Sequence, residues 1–254
     1  MSGLIFPFKG LIDECEAIKA YATDFLDKTS IGVLAEAKSI LENIRVAKNT
    51  DLKRWQIPAD RPLRTIWSDG ESQPDSKSKH KVRAEFSFVW QVRKLDEGKW
   101  KNSKYFLLDG LASTVTTIVA DVDNEEKVIA RWTTEVGDAA SPGTHFHFQV
   151  NRPGDKDDSE YFPFPKSLDI PRLPAPLMSP FLVIDMALGE VFQDRWKKHS
   201  LTENKDSKWW KGIHQDRALR FLKWQANCVQ GFAGSPWMAL KLAKPPRELL
   251  VEGT

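Results

Sequence analysis

The stretch 82–93, VRAEFSFVWQVR, alternates apolar and polar side chains along almost its whole length. Such a period of two is typical of a β-strand that has one buried side and one solvent-facing side. Three further runs rich in aromatic and β-branched residues follow it, at 105–121, 128–136 and 144–150. Because short turns connect the runs, the pattern predicts an antiparallel meander of about four strands, with a bend or bulge at Asp109-Gly110.

Helical patterns precede this sheet. Apolar residues recur at steps of three and four over 11–27 and again over 31–47, which predicts a helical hairpin. Ser30 is the expected N-cap of the second helix, because its hydroxyl can accept a hydrogen bond from a backbone N–H of the first turn. A short apolar piece at 63–67 is a candidate edge strand.

Helical patterns also follow the sheet. Six prolines between Tyr161 and Pro180 exclude a helix or a central strand there, so we expect an extended strap across the core. Further helices are predicted over 180–198 and 208–229, and a last short helix begins at Ser235-Pro236.

The order of elements indicates an α+β fold in which the helices are segregated from an antiparallel sheet of about four or five strands. We predict a single domain over 1–254. Its parts are a helical hairpin (1–50), the sheet (63–151), and the Pro-rich strap with the C-terminal helices (161–254).

The composition of the 254 residues, 41% hydrophobic and 28% charged, is that of a soluble globular protein. The net charge of +2 gives no strong field that points to nucleic acid or to a membrane. Cys15 and Cys228 lack metal or redox spacing, and free thiols favour a reducing compartment. With no signal peptide and no run of about 20 apolar residues, we expect a cytoplasmic protein without a membrane partner.

The stretch 144–150, THFHFQV, is the clearest candidate for a functional site. On a strand, His145, His147 and Gln149 fall on one side and the apolar residues on the other. Three interpretations are open. The polar side chains can simply form cross-strand contacts on a wet face. They can bind a metal, but no third ligand has a spacing that points to the strand, so no metal or cofactor is predicted. One histidine can be a nucleophile.

The same residues resemble the His-φ-His-φ-Gln-φ motif of the histidine-triad superfamily, in its nucleotidyltransferase and dinucleoside-polyphosphate phosphorylase branch. The resemblance covers residues 144–150 only. It implies that His147 attacks an α-phosphate and that His145 and Gln149 are its supporting groups.

A longer stretch resembles a group of uncharacterised bacterial proteins that tend to occur in mobile or defence-type gene sets. They share a His-containing strand, an Ile-Pro-Arg or Ile-Pro-Thr turn and an apolar helix, here Gly143–Gln149, LDIPRLP at 168–174 and the helix from Pro180. The resemblance implies no activity, but it suggests that Arg172 lies near the His strand. A guanidinium there can bind a phosphate or carboxylate bidentately. Pairing of Arg172 with Asp169 or Asp185 is the alternative.

Ten tryptophans is a large number for a chain of this length. Large rings usually serve packing, so an aromatic-rich core is expected. The adjacent pair Trp209-Trp210 is the best candidate for a partner-binding site, because exposed aromatic rings anchor protein partners or stack on bases.

Phosphate-binding loops, dinucleotide fingerprints and nucleophile elbows are absent from the sequence. We therefore expect an accessory or protein-interaction component, of a bacterial defence or mobile-element system, whose partner is another protein rather than a nucleic acid. The alternative is a histidine-dependent nucleotidyl transferase or hydrolase that uses His147 and binds a nucleotide or phosphate ligand.

Overall fold

Over the residues that the structure describes, the fold combines one antiparallel sheet with five α-helices, which confirms the predicted α+β class. The computed structural model describes residues 3–69, 80–100, 104–135, 145–149, 173–174 and 179–251, with all their side chains except those of Lys99, Phe148, Gln149, Leu173 and Pro174. The elements in chain order are β1 (Ile5–Pro7), α1 (Phe8–Tyr21), α2 (Lys28–Val46), β2 (Leu52–Ile57), β3 (Leu63–Arg64), β4 (Val82–Leu95), β5 (Tyr105–Val122), β6 (Glu125–Glu135), β7 (His145–Gln149), β8 (Leu173–Pro174), α3 (Pro180–Ser200), α4 (Lys205–Gln230) and α5 (Pro236–Leu242).

The described strands form one sheet in the order β2-β4-β5-β6-β7-β8, with β1 paired to β5 and β3 paired to β4. The neighbouring strands β4, β5, β6 and β7 follow one another in chain order, as the meander prediction requires. Within the described ranges the sheet has eight strands rather than four or five. The strands β1 and β8 are too short to show a period of two, and β2, LKRWQI, carries two basic residues that mask it. The short strand expected at 63–67 is present as β3, Leu63–Arg64, which pairs with β4.

A bulge interrupts the pairing of β4 and β5 at the predicted position. Trp90 pairs with Ala112 and Val92 with Leu108, so Gln91 alone faces three residues of β5. Gly110 has a φ of 123°, a conformation that side chains disfavour, and the Gln91 Oε1 atom accepts a hydrogen bond from the Leu111 N–H at 2.9 Å. The prediction of a bend at Asp109-Gly110 is confirmed.

The N-terminal helical hairpin is present, but its second helix is capped differently from the prediction. Asp27 is the N-cap of α2, and its carboxylate accepts from the Ser30 N–H at 2.8 Å. The Ser30 hydroxyl instead donates to the Arg64 carbonyl at 2.8 Å, which ties α2 to β3. The prediction of Ser30 as the cap is therefore wrong, because the ionised carboxylate of Asp27, three residues earlier, accepts the hydrogen bond from the backbone N–H of the first turn.

The C-terminal helices begin with side-chain caps. Ser179 caps α3, Asn204 caps α4 and Ser235 caps α5. The predicted starts at Pro180 and Pro236 are confirmed, since proline suits the first turn of a helix. Within α3, Gln193 leaves the helical region with φ 42° and ψ −117°, which interrupts the helix near its last turns.

The helices α1, α2 and α3 and one face of the sheet enclose the hydrophobic core. On β4, Phe86, Phe88 and Trp90 are buried, while Glu85 and Ser87 on the opposite face are half-buried, so the alternation of 82–93 separates the faces as expected. Five tryptophans lie in this core, which confirms the packing interpretation for them: Trp55, Trp90, Trp132, Trp196 and Trp210.

Two predictions extend beyond the described ranges. The single domain over 1–254 stays a prediction, and most of the strap predicted for 161–180 lies outside the described residues, apart from β8 and the start of α3. Among the helices of the described ranges, none combines the length and apolar character that crossing a bilayer requires.

Candidate functional site

The pairing of β6 with β7 brings both histidines of the predicted site next to an acidic residue. Glu135 lies directly opposite His145, and Thr133 lies opposite His147. Directly opposite residues of an antiparallel pair point to the same face, and so do residues two apart on one strand. Glu135, His145 and His147 therefore share one face, and we call them the His–Glu cluster.

Both imidazoles of the His–Glu cluster converge on one carboxylate oxygen. The Nε2 atoms of His145 and His147 lie 3.3 Å and 3.4 Å from the Glu135 Oε2 atom. The two rings are 4.7 Å apart between centroids. His145 is buried, with 4% of its surface exposed, whereas His147 and Glu135 are half-buried. The interpretation of this face as simply solvent-exposed is therefore wrong for His145, because that side chain is buried.

The carboxylate of Glu135 determines which ligands suit this cluster. A phosphate approaching the His147 Nε2 atom would be repelled by a carboxylate oxygen 3.4 Å from that atom. A cation would instead be attracted. The predicted nucleophilic role of His147 stays a prediction, but the charge beside it favours cations over phosphates.

The other predicted members of this site are only partly described. Gln149 lies on β7 opposite Arg131, but its side chain is outside the described set. Arg172, the predicted phosphate or carboxylate ligand, lies outside the described residues. Sequence reasoning did not include Glu135, because only the register of β6 against β7 places it beside the histidines.

A second polar cluster lies inside the molecule, between α1, α3 and α4. Glu14 is fully buried and accepts hydrogen bonds from the Ser179 hydroxyl and the Arg217 guanidinium. The Nε2 atom of His214 lies 3.3 Å from the Glu14 Oε1 atom. Ser179, His214 and Arg217 also line a cavity of about 30 Å³, room for about one water molecule. The carboxylate is fully engaged, so we interpret this cluster as structural.

Asp185 on α3 accepts hydrogen bonds from two tryptophans of the C-terminal helices. Its carboxylate oxygens accept from the indole N–H of Trp196 at 3.0 Å and from that of Trp210 at 2.9 Å. Burial raises the pKa of Asp185, although the two indole donors oppose the shift. Trp210 is buried, so its predicted partner-binding role is wrong, because its ring and its N–H serve the core. Trp209, the other member of the pair, is exposed.

The C-terminal helices carry an exposed surface that is both apolar and basic. Residues 217–247 contain six basic residues and no acidic residue. On the same segment six large apolar side chains are at least 41% exposed: Leu219, Leu222, Phe232, Trp237, Met238 and Leu242. The helices α4 and α5 contact each other. We call this the α4–α5 surface. Trp209, the exposed member of the predicted partner-binding pair, lies earlier on α4, outside this surface.

Comparisons of the chain with protein-family models, with curated proteins and with solved structures found no match. The two resemblances drawn from the sequence therefore stay predictions, and the function is argued from the geometry.

Proposed function

We propose that the protein is an interaction component that binds an acidic, amphipathic segment of a partner protein on the α4–α5 surface. The observation that carries this proposal is the coincidence of six exposed large apolar side chains with six basic and no acidic residues over 217–247. Groups of exposed apolar side chains that are bordered by polar residues are typical of protein interaction sites.

The distribution of side chains around α4 supports docking rather than core packing. Trp210, His214 and Phe221 form the buried stripe of this helix. At 100° per residue, Leu219, Leu222 and Ala226 lie on a roughly opposite side, and all three are exposed. A solvated side of a helix is normally polar, so apolar residues on both sides indicate a second contact surface.

The charges indicate an anionic partner. Lys223, Lys241, Lys244 and Arg247 are exposed, and within the described part of the chain none of them forms an ion pair. A second copy of this chain would bring these cations against one another, so a symmetric dimer through this surface is disfavoured.

The apolar side chains argue for a protein rather than a nucleic acid. Four of the six, namely Leu219, Leu222, Met238 and Leu242, are flexible aliphatic or thioether side chains, which suit the apolar face of a partner helix. Nucleic-acid interfaces are more polar and rely on aromatic stacking. Membership of a bacterial defence or mobile-element system is a further proposal that rests on the sequence resemblance alone.

The test is site-specific photo-crosslinking in cells of the source organism. A benzophenone amino acid at Leu222 or Met238 is expected to capture one protein, whose crosslinked segment is acidic and amphipathic when identified by mass spectrometry. Val46 on α2 is an equally apolar control position with 69% exposure. The proposal would be overturned if the Val46 position gave the same crosslinked products. It would also be overturned if Leu222 or Met238 captured lipid, nucleic acid or a second copy of this chain.

A charge-reversal pair provides the quantitative test with the captured segment. Lys223→Glu with Lys241→Glu is expected to weaken binding about tenfold or more and to reduce its dependence on salt. Lys28→Glu with Arg45→Glu changes the net charge equally at exposed positions of α2 and is expected to leave the affinity unchanged. Equal effects of the two pairs would contradict docking at α4 and α5.

A further inference from the structure

We propose that Glu135, His145 and His147 bind a divalent transition-metal ion of the zinc class. One ligand atom from each residue lies within 4.8 Å of those of the other two. This proposal is independent of the partner surface, since it uses other residues on another part of the fold.

The strand register provides the arrangement that a metal site needs. Glu135 is at the end of β6, directly opposite His145 at the start of β7, and His147 follows two residues later on the same face. Ligands on paired strands are held by the backbone hydrogen bonds of the sheet. The site is thus positioned by regular structure, which holds ligands more rigidly than loops do.

The distances match metal ligation better than direct hydrogen bonding. Zinc lies about 2.0–2.1 Å from imidazole nitrogen and carboxylate oxygen, so neighbouring ligand atoms of a tetrahedral ion are about 3.3 Å apart. The two Nε2-to-Oε2 distances are 3.3 Å and 3.4 Å. An N–H···O hydrogen bond is usually about 2.9 Å long. Rotation of the more exposed His147 ring can close the remaining gap between the two imidazoles.

The donor set selects the class of ion. Two imidazoles and one carboxylate suit Zn²⁺ and neighbouring divalent transition metals, whereas Mg²⁺ and Ca²⁺ prefer oxygen ligands throughout. With neutral imidazoles the three ligands carry one negative charge, which reduces the net charge of a bound divalent cation to +1 in a site where His145 is buried. Three ligands from the described residues leave one tetrahedral position for water or a further ligand.

Metal affinity of the full chain tests the proposal directly. The protein, stripped with a chelator, is titrated with Zn²⁺ in competition with a chromophoric chelator. Glu135→Gln and His147→Asn are each expected to weaken Zn²⁺ binding by more than about 100-fold. This loss is larger than the roughly 10- to 100-fold loss that follows when a residue that only hydrogen-bonds to a metal ligand is removed. The matched controls are Glu125→Gln on the same strand and His80→Gln, and both are expected to bind as the wild type does.

A thiolate variant shows whether the side chain itself ligates. His147→Cys, loaded with Co²⁺, is expected to give thiolate-to-cobalt charge-transfer absorption, which appears only when sulfur is bound to the ion. Circular dichroism of each stripped variant establishes that it is folded. No Zn²⁺ binding by the wild type, undiminished binding by folded Glu135→Gln, or absence of the charge-transfer band would each overturn the proposal.

Discussion

Glu14 is a fully buried carboxylate on α1 whose charge is matched by Arg217 on α4. Replacing Glu14 with Gln would leave this largely buried guanidinium without its counter-charge. Loss of one partner from a buried pair costs about 3–5 kcal/mol, so we expect a decrease of that size in the free energy of unfolding, measured by urea denaturation.

Glu16 is the matched control, because it lies two residues further along α1 and forms a partly exposed pair with Lys38 at 3.0 Å. Exposed pairs contribute at most about 1 kcal/mol. If Glu14→Gln and Glu16→Gln lowered the free energy of unfolding by similar amounts, the buried Glu14–Arg217 pair would not be what stabilises the contact between α1 and α4.

We expect His214 to make the free energy of unfolding dependent on pH. Burial, the largest influence, lowers its pKa. Glu14 raises the pKa, Arg217 lowers it and Asp185 raises it, and the net shift is downward. The unfolded chain titrates near the ordinary value of 6.5. Between that pH and the lower folded pKa only the unfolded chain binds the proton, so the free energy of unfolding falls as the pH drops, by up to about 1.4 kcal/mol per unit.

The His214→Gln variant isolates this effect. The wild type and the variant are compared by denaturation from about pH 7.5 to about pH 5.5. Above the unfolded pKa the stability difference between them should be constant, and below it the difference should shift against the wild type. Parallel curves over the whole range would show that His214 does not titrate differently in the folded state.

The candidate site shows what a sequence can and cannot predict about single residues. The alternation of 144–150 was enough to place His145 and His147 on one face, and the structure has them there. Glu135 could not be identified in the same way. Its position depends on the register across the connection 136–144, and a shift of one residue would turn its side chain to the other face.

At the scale of elements, length decided which predictions succeeded. The long strands β4 and β5 and the helices α1 to α4 contain enough periods to be identified from the sequence. The strands β1 and β8 have three and two residues, and their pairing depends on long-range contacts that no local pattern contains. Proline and glycine positions were informative throughout, as at Pro180 and Gly110.

The bulge between β4 and β5 gives a prediction about Gly110. A Cβ atom there would lie 2.2 Å from the Gln91 Oε1 atom, and φ is 123°. We expect Gly110→Ala to destabilise the protein by more than about 1 kcal/mol, since the strained backbone and the displaced Gln91 amide both cost free energy. Thermal denaturation of the variant measures the loss.

Gly32, in the second turn of α2, is the opposite case and the control. A Cβ atom there meets nothing within 4 Å, and its backbone is helical. Gly32→Ala is therefore expected to stabilise the protein by about 0.5–1 kcal/mol. If both substitutions shift the melting temperature in the same direction, the assignment of Gly110 as a position that requires glycine is wrong.

Across the described part of the molecule, burial is concentrated in the sheet and the first three helices. Seven of the 14 residues of α1 are buried. Over 215–243, by contrast, only Phe221 and Ala239 are buried. This difference could not be predicted from the sequence, because Leu219 and Leu222 have the spacing of a core-facing stripe while the structure leaves them exposed. The distal part of α4 and α5 therefore has few contacts that hold it against the core.

This uneven burial predicts local opening of the C-terminal helices. Segments with few buried apolar contacts open at a lower free-energy cost than the global unfolding reaction. In hydrogen-exchange mass spectrometry, amides of 223–242 are expected to exchange faster than those of α1 and α2. Binding of the captured acidic segment should then slow exchange over 223–242 and leave α2 unchanged. If 223–242 is already as protected as α1 in the free protein, the helices are held by contacts other than those described, and an exposed docking surface there loses its physical basis.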